Sequence, residues 1–218
     1  MAPLDAQLPL QPGEPAPSFT LPLANGAGGV SLGDYRGKSP VLLAFFRGLS
    51  CAFCRRHIAH LGDTRDRLLD AGVESLAITA SPLERARLYL RYRPTRVLLA
   101  ADPDRETHEA FGLPQDEVTP ALLETLKGMY LQLGREQGVQ LPEAASPAEI
   151  MSAVGRLDGY EITEAEATDR TRPNRTGQFL IDREGIVRWM KIEGAEVGPG
   201  GLASFPGDEE LLAAARAL

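Results

Sequence analysis

Apolar residues along the chain switch repeatedly between two spacings, and the switches divide it into elements. VLLAFF, residues 41 to 46, is an unbroken apolar run of strand length, which fits a central strand covered on both faces by helices. From Ala52 onward Phe53, Ile58, Leu61, Leu68 and Leu69 form a broken helical stripe, and Gly72 supplies the stop, so the pattern predicts a helix ending near Ala71. Val73 to Thr79 is the next apolar strand. Ser81-Pro82-Leu83-Glu84 combines an N-cap serine, a proline at the first helical position and a glutamate at N3, predicting a helix from Pro82 to about Tyr92. RVLLA, 96 to 100, is another short strand, followed by a turn at Asp102-Pro103-Asp104 and a short helix through Ala110. Strand and helix alternate, so the expected fold class is α/β with a mainly parallel sheet.

The flanks differ. Residues 1 to 16 are rich in proline and small polar residues without a sustained period, and read as a flexible arm, with order starting at Pro17. SFTLPLANGAGGVSLGDYRGK, from Ser18, predicts two short strands joined by a turn at Asn25-Gly26. Residues 113 to about 172 carry two helical segments and no core strand, and read as an insertion. One segment starts at Thr119-Pro120 with Leu122, Leu123, Leu126, Met129, Tyr130 and Leu133 on its apolar face; the other starts at the capping signature Ser146-Pro147-Ala148-Glu149 and ends near Gly155. QFLID (178 to 182) and GIVRWMKI (185 to 192) predict an antiparallel hairpin, and the last helix runs from Glu209 to about Ala217. Gly-Pro-Gly-Gly at 198 to 201 lacks a following Lys-Ser/Thr and a preceding buried strand, so it reads as a connector, not a phosphate loop.

Composition then narrows the function classes. The 218 residues suffice for one substantial core, and 23 basic against 30 acidic residues give a formal charge of −7, which argues against a general nucleic-acid or anionic-membrane surface. The N-terminal stretch has no positive segment ahead of an apolar one, and no window approaches eighteen unbroken apolar residues; the expected location is cytoplasmic, unanchored in a membrane. Two cysteines are too few for a secreted disulfide framework. In a cytosolic setting, a C-x-x-C pair points to catalysis or metal binding.

That pair lies in FFRGLSCAFCRRHIAHL, residues 45 to 61, directly after the central strand. Cys51, Cys54, His57 and His60 step by three, but along one helix this step rotates the side chain by about 180° in total from first to last, so the four cannot converge tetrahedrally on a metal. A permanent bridge across two residues closes too short a loop to stabilise much. A helix N-terminus does give chemistry, because its partial positive charge and unpaired N–H groups favour a sulfur anion. A thiol of pKa about 8.5 is about 3% thiolate at pH 7, and one lowered to about 6.5 is roughly three-quarters thiolate. Cys51 is expected to be the more exposed sulfur and Cys54 to lie one turn inside, although the reverse roles are chemically open. Arg47 is the candidate cation, at the strand end four residues before Cys51. Arg55 and Arg56 read as solvated helix positions, with Arg55 also adjacent to Cys54. His57 and His60 read as packed or surface residues.

These residues resemble the thioredoxin-fold redoxins, in particular the peroxiredoxin-like branch of the alkyl hydroperoxide reductase and thiol-specific antioxidant family. GEPAPSFTLPLANG, SLGDYRGKSPVLLAFFRG and CAFCR are similar to that family's N-terminal hairpin, first core strand and active-site turn; ADPDRETHEAFGL and TGQFLIDREGIVRW are similar to later segments. The resemblance covers about residues 13 to 112 and 175 to 217. It implies a thioredoxin-like fold over 17 to 218, a central mixed sheet flanked by helices, with an N-terminal hairpin and the helical insertion at 113 to 172. Aligning the family's peroxidatic cysteine with Cys54 puts Cys51 on its threonine and Arg47 on its proline. Thr176 falls where thioredoxins carry a cis-proline, and Arg175 is the candidate for a peroxide-binding arginine.

The expected activity is a thiol-dependent oxidoreductase that reduces hydroperoxides through a Cys51/Cys54 dithiol–disulfide cycle, with catalytic Cys51 and Cys54 supported by Arg47, Arg175 and Thr176. No bound cofactor or metal is needed. A thioredoxin-like or other thiol reductant would reset the pair, and a homodimer is left open. A protein disulfide reductase is the alternative within the same chemistry. An alternative of another class is a non-catalytic interaction module using the insertion.

Overall fold

The structure, a computed structural model, describes residues 8–157, 159–169, 174–195 and 201–218. The apolar run becomes β3 (Val41–Phe46), every residue of which is buried. It is the middle strand of a five-stranded sheet. It pairs in parallel with β4 (Glu74–Thr79), which pairs in parallel with β5 (Leu98–Ala101); on its other side it pairs antiparallel with β6 (Gly177–Ile181), which pairs antiparallel with β7 (Val187–Ile192). Side chains alternate across a strand, so Leu42, Ala44 and Phe46 enter one core and Val41, Leu43 and Phe45 the other. The first core holds Ile58, Leu61 and Leu68 of α1 (Ala52–Asp70) and Leu211 and Leu212 of α7 (Asp208–Arg216). The second holds Phe111, Phe179 and Val187. A strand covered twice needs apolar residues at every position, which explains the unbroken run.

α1 stops as expected, with Gly72 at φ 79° beyond its last turn. α2 (Leu83–Tyr92) and α3 (Glu106–Ala110) follow β4 and β5 in the predicted order. The start of α2 differs in detail: Pro82 is the N-cap and makes no side-chain cap, because the Ser81 hydroxyl instead accepts from Leu49 N at 2.7 Å. The N-terminal hairpin forms from β1 (Thr20–Pro22) and β2 (Gly29–Ser31), but its turn is longer than two residues. Gly28 supplies the positive φ, at 77°, while the Asn25 amide donates to Val97 O at 2.7 Å and accepts from Leu99 N at 2.8 Å. Asn25 therefore ties the hairpin to β5.

The expected flexible arm is too long. Gly13 N donates to Val187 O at 2.8 Å, Ala16 N to Gly185 O at 2.9 Å and Leu10 N to Phe111 O at 3.3 Å, so order starts before Pro17. Low periodicity marked the absence of a regular element, not the absence of backbone partners. Residues 1 to 7 lie outside the described residues, as does most of the Gly-Pro-Gly-Gly connector.

Residues 113 to 172 contain α4 (Pro120–Glu136), α5 (Pro147–Gly155) and a third helix, α6 (Glu164–Asp169). Thr119 and Ser146 cap the first two. The signal for α6 was present in Thr163 and Glu166, whose side chains each take a backbone N–H of the other, at 3.3 and 3.0 Å. Tyr130, Leu133, Ile150 and Val154 pack on Ala52 of α1, with Phe53 edge-on to Tyr130 at 5.0 Å between ring centres. Arg55 is not solvated: only 2% of it is exposed. Its guanidinium donates to Leu49 O and, at 2.7 Å, to Gly155 O, and lies 4.8 Å over the Tyr160 ring. Arg56 is exposed and pairs with Glu136. Both arginines thus fasten the helical segment to the cysteine-bearing helix.

Replacing Arg55 by Met leaves two buried carbonyls without this donor and is expected to lower the unfolding free energy by about 2–4 kcal/mol. Urea denaturation checks this. A change below about 0.5 kcal/mol, the ordinary range for a surface substitution, would show that the latch contributes nothing.

Candidate active site

β3 feeds into α1 through residues 47–50, and Cys51 is the N-cap of the helix, at φ −79° and ψ 112°. Its sulfur accepts from Cys54 N at 3.3 Å, taking the position in which a Ser or Asp oxygen usually satisfies a free helical N–H. The turn is held at several points. Leu49 N donates to Ser81, Cys51 N to Gly48 O at 3.0 Å, and Thr79 Oγ1 to Arg47 O at 3.0 Å. Phe46 O, at the end of β3, faces His108 Nε2 at 3.1 Å, and His108 Nδ1 sits 2.6 Å from the buried Asp102 carboxylate. The two cysteines are unbridged thiols; Cys51 is 7% exposed and Cys54 has no exposed surface.

Arg47 supplies the charge. Its Nη1 donates to Glu193 Oε1 and, at 3.3 Å, to Asn174 O, and its charge lies near enough to the Cys51 sulfur to favour an anion there. Burial opposes its charge, but the Glu193 carboxylate and then the two sulfurs beside it raise its pKa further above the ordinary arginine range. Glu193 is fully buried and also accepts from Thr176 N and Ala203 N, each at 2.8 Å. The two thiols are pushed in opposite directions. A hydrogen bond from Cys54 holds Cys51 well below the usual thiol range, against the effect of burial and with help from Arg47. Burial, followed by the hydrogen bond to Cys51, pushes Cys54 well above that range. The surroundings therefore favour the proton on Cys54 and the anion on Cys51.

In front of Cys51 is a pocket of about 60 Å³. Arg47, Arg105, Asp116 and Asn174 give it a polar side, and Phe53, Leu122, Leu126, Tyr130, Met151 and Leu202 an apolar one. Four of those apolar residues come from α4 and α5, so the helical segment walls the site. Cys54 does not line it.

The other expected residues are placed as follows. Arg175 makes a three-bond contact with Asp116, at 2.7, 3.0 and 3.1 Å, which commits its guanidinium to the pocket rim, while Arg47 lies near the sulfur. Thr176 is buried; its backbone supports Glu193 and its hydroxyl has no partner. His57 stacks on Phe205 with 4.8 Å between ring centres, and burial lowers its pKa to about 3. His60 faces Asp208 at 2.5 Å, on the side toward α7. Glu193 and Asn174 were missed: each lies in a polar loop with no periodicity, and its partner Arg47 is 146 or 127 residues away. Among the described residues, no helix is long and apolar enough to cross a membrane.

Comparison with known proteins gives a consistent pattern. Residues 12–145 match the AhpC/TSA family, including α4, which lay outside the segments whose resemblance was recognised in the sequence. A Mycobacterium tuberculosis protein named "Putative peroxiredoxin" is 34% identical over 103 residues, 47% of this chain and 64% of its own, so the chain matches less than two thirds of that relative. A solved M. tuberculosis peroxidoxin superposes with a TM-score of 0.59 at 15% identity, over 96% of this chain and 98% of the other. The reduced 2-Cys peroxiredoxin of Plasmodium vivax gives 0.55 at 16% identity, over 94% of both. At these identities the two structures speak for the fold alone, and the fold is thioredoxin-like.

The Cys51 thiolate should persist below the usual thiol range and lose reactivity only as pH falls through its depressed pKa. Replacing Arg47 by Met should move the pH midpoint of Cys51 alkylation by iodoacetamide upward by about one unit, slowing the reaction about tenfold below both midpoints. Arg47→Lys should restore most of it. A midpoint unmoved in Arg47→Met would contradict the arginine's role.

Proposed function

The chain belongs to the AhpC/TSA family, and on that premise we propose that it is a thiol peroxidase that reduces hydroperoxides with Cys51 as the attacking thiolate and Cys54 as the resolving thiol. The observation that carries the reading is the small walled pocket, which has the Cys51 sulfur and the Arg47 guanidinium on the same side. It suits a hydroperoxide better than an extended protein segment bearing a disulfide. Cys51 attacks the hydroxyl oxygen of the peroxide; the S–O bond forms as the O–O bond breaks, and the leaving alkoxide or hydroxide takes up a proton. The sulfenic acid on Cys51 then condenses with the Cys54 thiol, giving a disulfide and water. A thioredoxin-like or other dithiol reductant returns both sulfurs to thiols. Residues 17–218, with the bonded residues that precede them, act as one redoxin unit in which the 113–172 segment shapes the substrate pocket.

A protein disulfide reductase is the second reading. It is favoured by the C-x-x-C spacing and by the place of Cys51 where peroxiredoxins carry threonine. Under it, Cys51 attacks a substrate disulfide and Cys54 releases the mixed disulfide.

Hydrogen peroxide added to the reduced protein, with thiols counted by mass spectrometry, separates these outcomes. Wild type should lose two thiols, Cys54→Ser should accumulate a sulfenic acid on Cys51, and Cys51→Ser should react at least about a hundredfold more slowly. A sulfenic acid found on Cys54 in Cys51→Ser at the wild-type rate would reverse the two roles. Inertness of the wild type to peroxides, together with turnover of a disulfide substrate, would replace the peroxidase by the reductase.

A further inference from the structure

The apolar side of the Cys51 pocket keeps surface that the fold itself does not cover. Leu122, Leu126 and Tyr130 follow one another at four-residue steps on one face of α4, and all three line the pocket. Leu122 and Tyr130 are buried, and Tyr130 is fixed by its edge-on contact with Phe53. Leu126, midway between them, is only half-buried and belongs to none of the three apolar clusters of the described residues. Met151 of α5 lines the same pocket and is half-buried too. The charges of the polar side are matched, Arg47 by Glu193 and Asp116 by Arg175, and Arg105 is partnered as well. What the pocket lacks is apolar contact. Its space of about 60 Å³ takes roughly four or five water-sized groups. Hydrogen peroxide would fill roughly half of that and leave water against Leu126 and Met151, whereas a compact alkyl group fills the rest and displaces the water.

We propose that Leu126 and Met151 are specificity-determining residues of the peroxidase reaction: they bind the uncharged alkyl substituent of an organic hydroperoxide and make such hydroperoxides better substrates than hydrogen peroxide. The inference deepens the peroxidase reading above and rests on it. Contact with the substituent holds the hydroperoxide at the sulfur, so the gain is read in the second-order rate of Cys51 oxidation. Neither side chain changes the reactivity of the sulfur, and reagents without an apolar group do not use them. Both positions lie on helices of the 113–172 segment. That segment therefore sets the substrate range, while the turn between β3 and α1 sets the sulfur chemistry. A polar side chain of the same length at either position loses the contact and keeps the helix, since glutamine is a good helix former.

The test compares wild type with Leu126→Gln, Leu126→Met and Met151→Gln, each as the full reduced chain. Second-order rates of Cys51 oxidation by tert-butyl hydroperoxide and by hydrogen peroxide are each divided by the rate of the same peroxide with free cysteine. Alkylation by iodoacetamide and the thermal unfolding midpoint are measured beside them. On this scale wild type should favour tert-butyl hydroperoxide about tenfold, the range of a small apolar group in an apolar pocket. Leu126→Gln and Met151→Gln should each lower that preference about threefold or more through the tert-butyl hydroperoxide rate, with alkylation within about twofold, and Leu126→Met should keep it. A wild-type preference below about twofold would overturn the assignment. So would a preference unmoved in the glutamine variants, or a parallel loss of both oxidations and alkylation with a lowered unfolding midpoint, which marks a structural role. Wild-type protein that alkylates normally but is inert to both peroxides would instead remove the peroxidase reading, and the role of these two residues with it.

Discussion

A carboxylate with no exposed surface has to be neutralised, and Glu193 is where this structure meets that constraint. Taking a charge out of water costs several kcal/mol, roughly, unless a counter-charge and hydrogen bonds replace the solvent. Glu193 obtains them from Arg47 at the end of β3, from Thr176 N just before β6 and from Ala203 N beyond β7. Three stretches of chain therefore have to meet at one carboxylate. Their meeting point is the carboxyl end of the central strand, the edge of an α/β sheet at which side chains can converge without disturbing the hydrogen-bond ladder.

The chemistry of the cysteine pair follows from that arrangement. With Glu193 on one side, Arg47 is charged and fixed in direction, and its charge acts on the nearby Cys51 sulfur. The helix end adds the Cys54 backbone N–H, and Cys54 below adds its thiol. Around Cys51 the hydrogen bonds and the Arg47 charge outweigh burial and favour the anion, whereas burial and the Cys51 sulfur outweigh Arg47 at Cys54 and favour its proton. Two identical side chains three residues apart thus have their proton affinities moved in opposite directions by depth and neighbours.

The helical segment between β5 and β6 belongs to the same economy of contacts. Arg55 joins it to the active-site turn by reaching Leu49 O with one nitrogen and Gly155 O with another, and α4 and α5 supply one side of the pocket over Cys51. Here a pocket of about 60 Å³ lies over the Cys51 residue, walled on one side by that segment.

The sequence by itself determined the elements and the position of the sulfurs. VLLAFF as a twice-covered strand, the helix from Ala52, the caps at Thr119 and Ser146 and the β6–β7 hairpin were legible because period and cap depend on residues within a few positions of one another. The same locality put Cys51 at a helix start and Cys54 one turn inside. Misreadings arose where a polar side chain had two suitors. Ser81 looked like a cap and serves Leu49 N; Asn25 looked like a tight-turn residue and ties the hairpin to β5; Arg55 looked solvated and is buried. Only the tertiary structure decided those pairings, the convergence of Arg47, Glu193 and Asn174, and the wall built by α4 and α5. Hydrogen-bond partners more than a hundred residues apart are selected by how the strands order and stack, and no periodicity along the chain records that choice.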